Sequence, residues 1–156
     1  MNISIVIPVY PPHFKLLDNC LRNILNSTVL PDEIIIAASE VDQDKEYELY
    51  NHLKLIVGDV KLIISGTDKQ AYAGENRNRG FNKTNSEIIM FIDADDITHK
   101  QKIEIVKDCF KLYPNCKQFL HTCCLNNKEI DVNYNIQNLQ YYKYKGDFSK
   151  KTFRWT

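Results

Sequence analysis

Asp93-Ala94-Asp95-Asp96 sets three carboxylates within four residues, directly after the apolar run EIIMFI over 87–92. Carboxylates packed that tightly repel one another, and a hard divalent cation relieves the repulsion. Clustered carboxylate oxygens suit Mg²⁺ or Mn²⁺ far better than Zn²⁺. Asp also caps helices and turns, but three acids at the end of a fully apolar strand exceed what capping requires. A second group comes shortly before it, GENRNRG over 74–80, with Arg77 and Arg79. As an exposed polar helix this segment would turn both guanidiniums to solvent. Beside a carboxylate–metal cluster the same two groups would suit a diphosphate or a nucleotide base. His121 with Cys123 and Cys124, and Cys109 and Cys116 nearby, match no standard zinc spacing and fall on apolar positions. They read as buried thiols. His13 and His99 read as loop and helix-start residues.

The acidic string fails the tests for other known sites. A calcium EF-hand needs Gly at its sixth loop position, where Thr98 stands, and a ligand at its fifth, where Ile97 stands. No GxxxxGK[ST] and no GxGxxG after the first strand exists, so neither nucleotide fingerprint applies. An aspartyl-phosphate phosphatase also opens with DxD after a buried strand. It would carry Thr or Val where Ile97 sits, so it stands as the weaker alternative.

Elements that could position these groups follow from periodicity. Ile3 to Tyr10, Glu33 to Ala38, Lys61 to Ser65 and Glu87 to Ile92 are short apolar, β-branched runs that predict buried strands. Between them, Phe14, Leu17, Leu21 and Ile24 recur at helical spacing, residues 44–57 and 74–83 are helix-compatible, and Ile103, Val106, Phe110 and Tyr113 share one face of a helix over 100–113. Pro114 closes that helix, and residues 116–125 read as a further strand. Apolar strands alternating with helices predict an α/β fold, a mostly parallel sheet covered on both faces. Ligands of such sheets bind beyond the carboxyl ends of the strands, where the acidic string falls. After Asn126 the pattern decays into a hairpin through Ile130 and Val132 or an irregular extension. Tyr134, Tyr141, Tyr142, Tyr144 and Trp155 there read as packing or a sugar-stacking surface.

Composition narrows the class. The 156 residues suit one domain. Twenty basic and twenty acidic residues cancel, which gives no support to nucleic-acid or anionic-membrane binding. No run approaches the roughly 18 apolar residues of a membrane span. The N-terminal MNISIVIPVYPPH has neither basic leader nor cleavage site and reads as a core strand. Five scattered cysteines make no disulfide framework, so a reducing, cytoplasmic setting is expected.

In order and spacing, ISIVIPVY, PDEIIIA and AGENRNRGFNKTNSEIIMFIDADD resemble family 2 glycosyltransferases with the GT-A fold. Those proteins begin with a strand ending in Pro-x-Tyr, then carry an Arg-Asn-x-Gly helix and a strand leading into a DxD motif. The likeness covers residues 1–125, which it implies are a GT-A-like nucleotide-sugar-binding domain with a Rossmann-like central sheet; 126–156 would be an irregular extension of it. It implies a metal-dependent, inverting transfer from a nucleotide-diphosphate sugar to a glycan, protein or small-molecule acceptor, with Mn²⁺ or Mg²⁺ as cofactor. By this likeness Pro8, Val9 and Tyr10 line the nucleotide pocket, and Arg77 contacts the base or diphosphate. Asp93 meets the ribose or the metal's water shell, Ala94 lies against the donor, Asp95 binds the metal, and Asp96 helps it. The family's Asp-Asp pair after the second strand, one of which holds uracil, reads here Ala38-Ser39 followed by Glu40 and Asp42. Ser39 or Glu40 would then take that contact. The later acids Glu129, Asp131 and Asp147 stand in no recognisable catalytic context. A catalytically incomplete donor-binding or scaffold module therefore stays open, as does a homodimer in which a second copy completes the acceptor side.

Overall fold

Seven consecutive buried residues, Ile3–Val9, form β1, one of the two inner strands of the sheet. A computed structural model describes residues 1–119 of the chain. Pro11 and Pro12 lack the N–H groups a helix interior needs, so the chain first makes a 3₁₀ turn, Pro11–Leu16, with the His13 amide donating to the Tyr10 carbonyl at 2.8 Å. Helix α1 therefore begins at Leu17 rather than Phe14 and runs Leu17–Leu25, burying Leu17, Cys20, Leu21 and Ile24 on one stripe. Then come β2 (Glu33–Ser39), α2 (Gln43–Val57), β3 (Lys61–Thr67), α3 (Ala73–Phe81), β4 (Ile88–Phe91) and α4 (Lys102–Leu112). The Asp42 side chain caps α2 by accepting from the Lys45 amide at 2.9 Å.

All four strands are parallel, in the order β3-β2-β1-β4. The two faces differ. Ile3, Ile5, Ile7 and Val9 of β1, with Ile34, Ile36 and Ala38 of β2, share one core with Leu17, Leu21 and Ile24 of α1, Leu53 and Val57 of α2, and Ile103 of α4. On the opposite face lies α3, whose Gly80 comes so close to β1 and β2 that a Cβ there would collide with Val6 Cγ1 and stand 3.2 Å from Ala37 Cβ. The fold is the expected α/β arrangement, with a parallel sheet covered on both faces.

One expected element differs. Residues 116–119, the described beginning of the further strand read over 116–125, form no strand; after Pro114 the chain is irregular, and Phe119 packs edge-on against Phe110 with ring centroids 4.6 Å apart. The rest of that segment, with His121, Cys123, Cys124, Glu129, Asp131, Asp147, the later tyrosines and Trp155, lies outside the described residues. Among the described residues, Cys20, Cys109 and Cys116 are free thiols. No described helix is long and apolar enough to cross a membrane.

Candidate functional site

The sheet switches direction at β1, whose neighbours β2 and β4 are reached by connections leaving on opposite sides. Such a switch point opens a crevice beyond the strand ends. Here it is a cleft of about 440 Å³ lined by the ends of β1 (Pro8, Val9, Tyr10) and β2 (Ser39, Glu40), the turn after β4 (Asp93, Ala94, Asp95), and the start of α3 with the loop before it, including Gln70, Tyr72 and Asn76.

The acidic turn is held from three sides. The Ile92 amide donates to the Val6 carbonyl at 3.1 Å, which carries the β4 direction up to the turn, and the Asp96 amide closes it on the Asp93 carbonyl at 3.0 Å. Arg77 Nη2 of α3 donates to Asp93 Oδ1 at 2.6 Å. Beyond the turn, the backbone amide and hydroxyl of Thr98 both donate to Asn23 Oδ1 of α1, at 2.7 and 2.8 Å. Cys20 lies beneath: burial, and then the charges of Asp96, Asp95 and Asp93, push its thiol up to about 12. All three carboxylates thus concentrate negative charge over one end of α1.

The residues expected at the site separate by depth. Pro8, Val9, Ser39 and Ala94 are buried, whereas Tyr10, Glu40, Asp95 and Asp96 are exposed and Asp93 is half-exposed. Ser39 forms part of the cleft's base, its hydroxyl oxygen accepting from Asn76 Nδ2 at 3.4 Å. Glu40 adopts φ 58, the left-handed region that residues other than glycine seldom enter. Its amide donates to the Lys69 carbonyl at 3.1 Å and that of Val41 to Thr67 at 2.8 Å, so the surrounding backbone imposes the turn. Asp96 and Arg77 stand just outside the lining.

The two arginines part company. Arg77 reaches the acidic turn, but Arg79 faces neither solvent nor the carboxylates. Its Nη2 donates to the carbonyls of Ala38 (2.9 Å) and Ser65 (3.1 Å) and to Asn76 Oδ1 (2.9 Å). Burial pulls its pKa down, opposed by the charges of Glu75 and Glu46. Asn76, buried in the middle of α3, looks like one more polar helix residue in the sequence. His13 also reads as an ordinary loop residue in the sequence, yet its ring packs on Tyr10 at 4.4 Å between centroids to form one wall of the cleft.

Among the described residues no three His, Cys, Asp or Glu side chains converge as a closed metal cage. The donor set instead fits a cation that takes one or two carboxylates from the protein and the rest from phosphate and water, the habit of Mg²⁺ at phosphate sites.

Comparison with known proteins gives the family and the fold. A family model described as glycosyl transferase family 2 matches residues 4–152. No curated protein matches the chain. Among solved structures, S. aureus TarS is similar with TM-score 0.56 and 18% identity over 73% of this chain and 20% of that one. TarS 1-349 in complex with UDP-GlcNAc gives TM-score 0.60 and 17% identity over 73% and 32%; its complex with UDP gives the same score and identity over 73% and 33%. At such identities the likeness shows the fold, and the chain spans a third or less of the length of these proteins. With the family model covering nearly its whole length, the chain belongs to glycosyl transferase family 2.

Proposed function

We propose that the cleft binds a nucleotide-diphosphate sugar together with Mn²⁺ or Mg²⁺, and that the protein transfers the sugar with inversion to a hydroxyl of a glycan, protein or small molecule. The observation that carries this reading is the meeting, in one cleft at the carboxyl edge of a parallel sheet, of Asp93 and Asp95 with the Tyr10 and Glu40 walls, Arg77 holding Asp93 from just outside it.

Tyr10 and His13, their rings tilted at 50° to each other, offer two aromatic faces for a nucleotide base or ribose. Glu40, held outward by its backbone, supplies an acceptor for N–H or O–H groups of that half of the ligand. Arg77 fixes Asp93 and brings a cation to the diphosphate end. Asp95, with Asp93 and Asp96 beside it, would hold the metal, which when bound neutralises charge developing on the departing nucleoside diphosphate as a Lewis acid. Deprotonation of the acceptor hydroxyl calls for a carboxylate base, and none of the residues named here is assigned that step.

Thermal unfolding against UDP-, GDP-, CMP- and dTDP-sugars, each with and without Mn²⁺, tests the reading. UDP-GlcNAc comes first because TarS 1-349 is known in complex with it. A ligand at about a hundred times its dissociation constant adds roughly 2.7 kcal/mol. A shift requiring both Mn²⁺ and one nucleotide class is expected, and no shift with any of them would overturn donor binding. Release of nucleoside diphosphate on adding an acceptor then separates transfer from binding alone.

A further inference from the structure

Two side chains outside the motif residues tie α3 to the ends of three strands. Asn76 is 2% exposed, and its Nδ2 donates to the carbonyl of Val9, the last residue of β1, at 3.2 Å and to the hydroxyl of Ser39, the last residue of β2, at 3.4 Å. One turn later on the same helix, Arg79 Nη2 spends two hydrogens on three oxygens: Asn76 Oδ1, the Ala38 carbonyl of β2 and the Ser65 carbonyl of β3.

The chemistry of the pair fixes its direction. A guanidinium only donates, so the Asn76 atom facing it must be the carbonyl oxygen. The amide nitrogen is thereby turned to Val9 and Ser39, which can accept from it. Arg79 sets the orientation of Asn76, and Asn76 holds the two strand ends. A guanidinium held by neutral oxygens is costly to bury. Arg79 makes no salt bridge among the described residues, and its Nε and Nη1 are buried without a partner there. Such an arrangement is expensive as a mere fold staple, for which apolar packing would serve.

The residues that follow these strand ends are Tyr10 and Glu40, two exposed walls of the cleft. We propose that Asn76 and Arg79 are positioning residues of the donor cleft. From beneath, they hold Val9–Tyr10 and Ala38–Glu40 in the binding geometry before a nucleoside diphosphate arrives. This rests on the donor-binding reading above. Preorganisation of this kind raises affinity by removing the cost of ordering the site on binding.

The test uses the full chain carrying Asn76→Asp, which keeps the shape but replaces the amide donor with an acceptor, and Arg79→Lys, which keeps the charge but ends one bond short of the Nη2 position that reaches the three oxygens. Amide hydrogen exchange is measured without ligand, and the affinity for UDP in Mn²⁺ alongside it. Both variants are expected to stay folded by circular dichroism, with exchange over 8–13 and 37–41 faster by about tenfold while α2 and α4 keep their protection. UDP affinity should fall by about tenfold. Wild-type exchange in both segments, or wild-type UDP affinity in a folded variant, would overturn the proposal. A uniform loss of protection through all elements would overturn it too, in favour of a purely structural role. Should the wild-type protein bind no UDP, the donor-binding reading fails for that nucleotide, and the exchange comparison alone decides the positioning role. If Asn76→Asp does not fold, Asn76→Ser and Arg79→Lys carry the same comparison.

Discussion

At the scale of single residues, the acidic turn concentrates the proposed chemistry and contributes little to folding. Asp95 is exposed, and its carboxylate has no hydrogen bond or ion pair among the described residues. Asp95→Ala should therefore leave stability within about 0.5 kcal/mol of wild type and abolish Mn²⁺-dependent nucleotide binding. Calorimetric titration beside a melting curve checks both halves at once. Glu33 is the opposite kind of acid. At the far end of the sheet, 4% exposed, it accepts from Ser4 Oγ at 2.6 Å, Lys61 Nζ at 2.8 Å and the Asn85 amide at 2.9 Å. Burial pushes its pKa up, but the bonds from Lys61, Ser4 and Asn85 and the Lys61 charge outweigh that and hold it below 4.5. A lowered folded value means stability that is complete above the unfolded value and is lost as pH falls through the folded one. Wild type should thus weaken below about pH 4.5. Glu33→Gln should lose about 1–3 kcal/mol at pH 7 and show a flatter acid limb in urea melts from pH 6 to 3. The motif residues were legible from the sequence because strand ends and acid spacing are local properties. Asn76, Arg79 and His13 were not, because their roles depend on what α3 and the 3₁₀ turn pack against.

At the scale of elements, α3 departs furthest from its appearance. Its polar composition suggests a solvated helix, yet it covers one face of the sheet and supplies Arg77, Asn76 and Arg79. Gly80 permits this: with no Cβ, the helix backbone can approach Val6 and Ala37. The collision a methyl would cause is with β-branched Val6 inside the sheet, which cannot simply swing away. Gly80→Ala should cost about 1–3 kcal/mol by overpacking and loosen the Arg77–Asp93 bond with it. Lower melting temperature together with weaker nucleotide binding is the expected pair of results. The strands were legible to within two residues of their ends, since their apolar runs are bounded by polar or turn residues. The start of α1 was misplaced because Pro11 and Pro12 impose a 3₁₀ turn that apolar spacing does not reveal. The strand expected from Cys116 onward fails over its described part for a similar reason: an apolar run near Pro114 says nothing about whether a neighbouring strand is there to pair with.

At the scale of the whole molecule, alternation of strands and helices made the α/β class legible, while the order β3-β2-β1-β4 is a property of long-range pairing that no local pattern encodes. The buried end of α1 offers a probe of the intact fold. Cys20 is 3% exposed and its thiol is held near 12, so almost none is thiolate at neutral pH. Alkylation of Cys20 in the native protein should proceed only as fast as the molecule opens, with the modified peptide identified by mass spectrometry. Rapid modification under native conditions would contradict the packing of α1 beneath the acidic turn.

The strand order also has a consequence in time. β1 meets β2, and β2 meets β3, through short excursions of the chain, but β1 meets β4 only when Ile3 finds Ile88, after every intervening element has been made. Closing so long a loop is entropically slow. The β3-β2-β1 half, with the Glu40 turn, is therefore expected to gain amide protection first in pulse-labelled refolding, and β4 later. During synthesis the nascent chain would hold one wall of its cleft ready and wait for the acidic turn to dock opposite it.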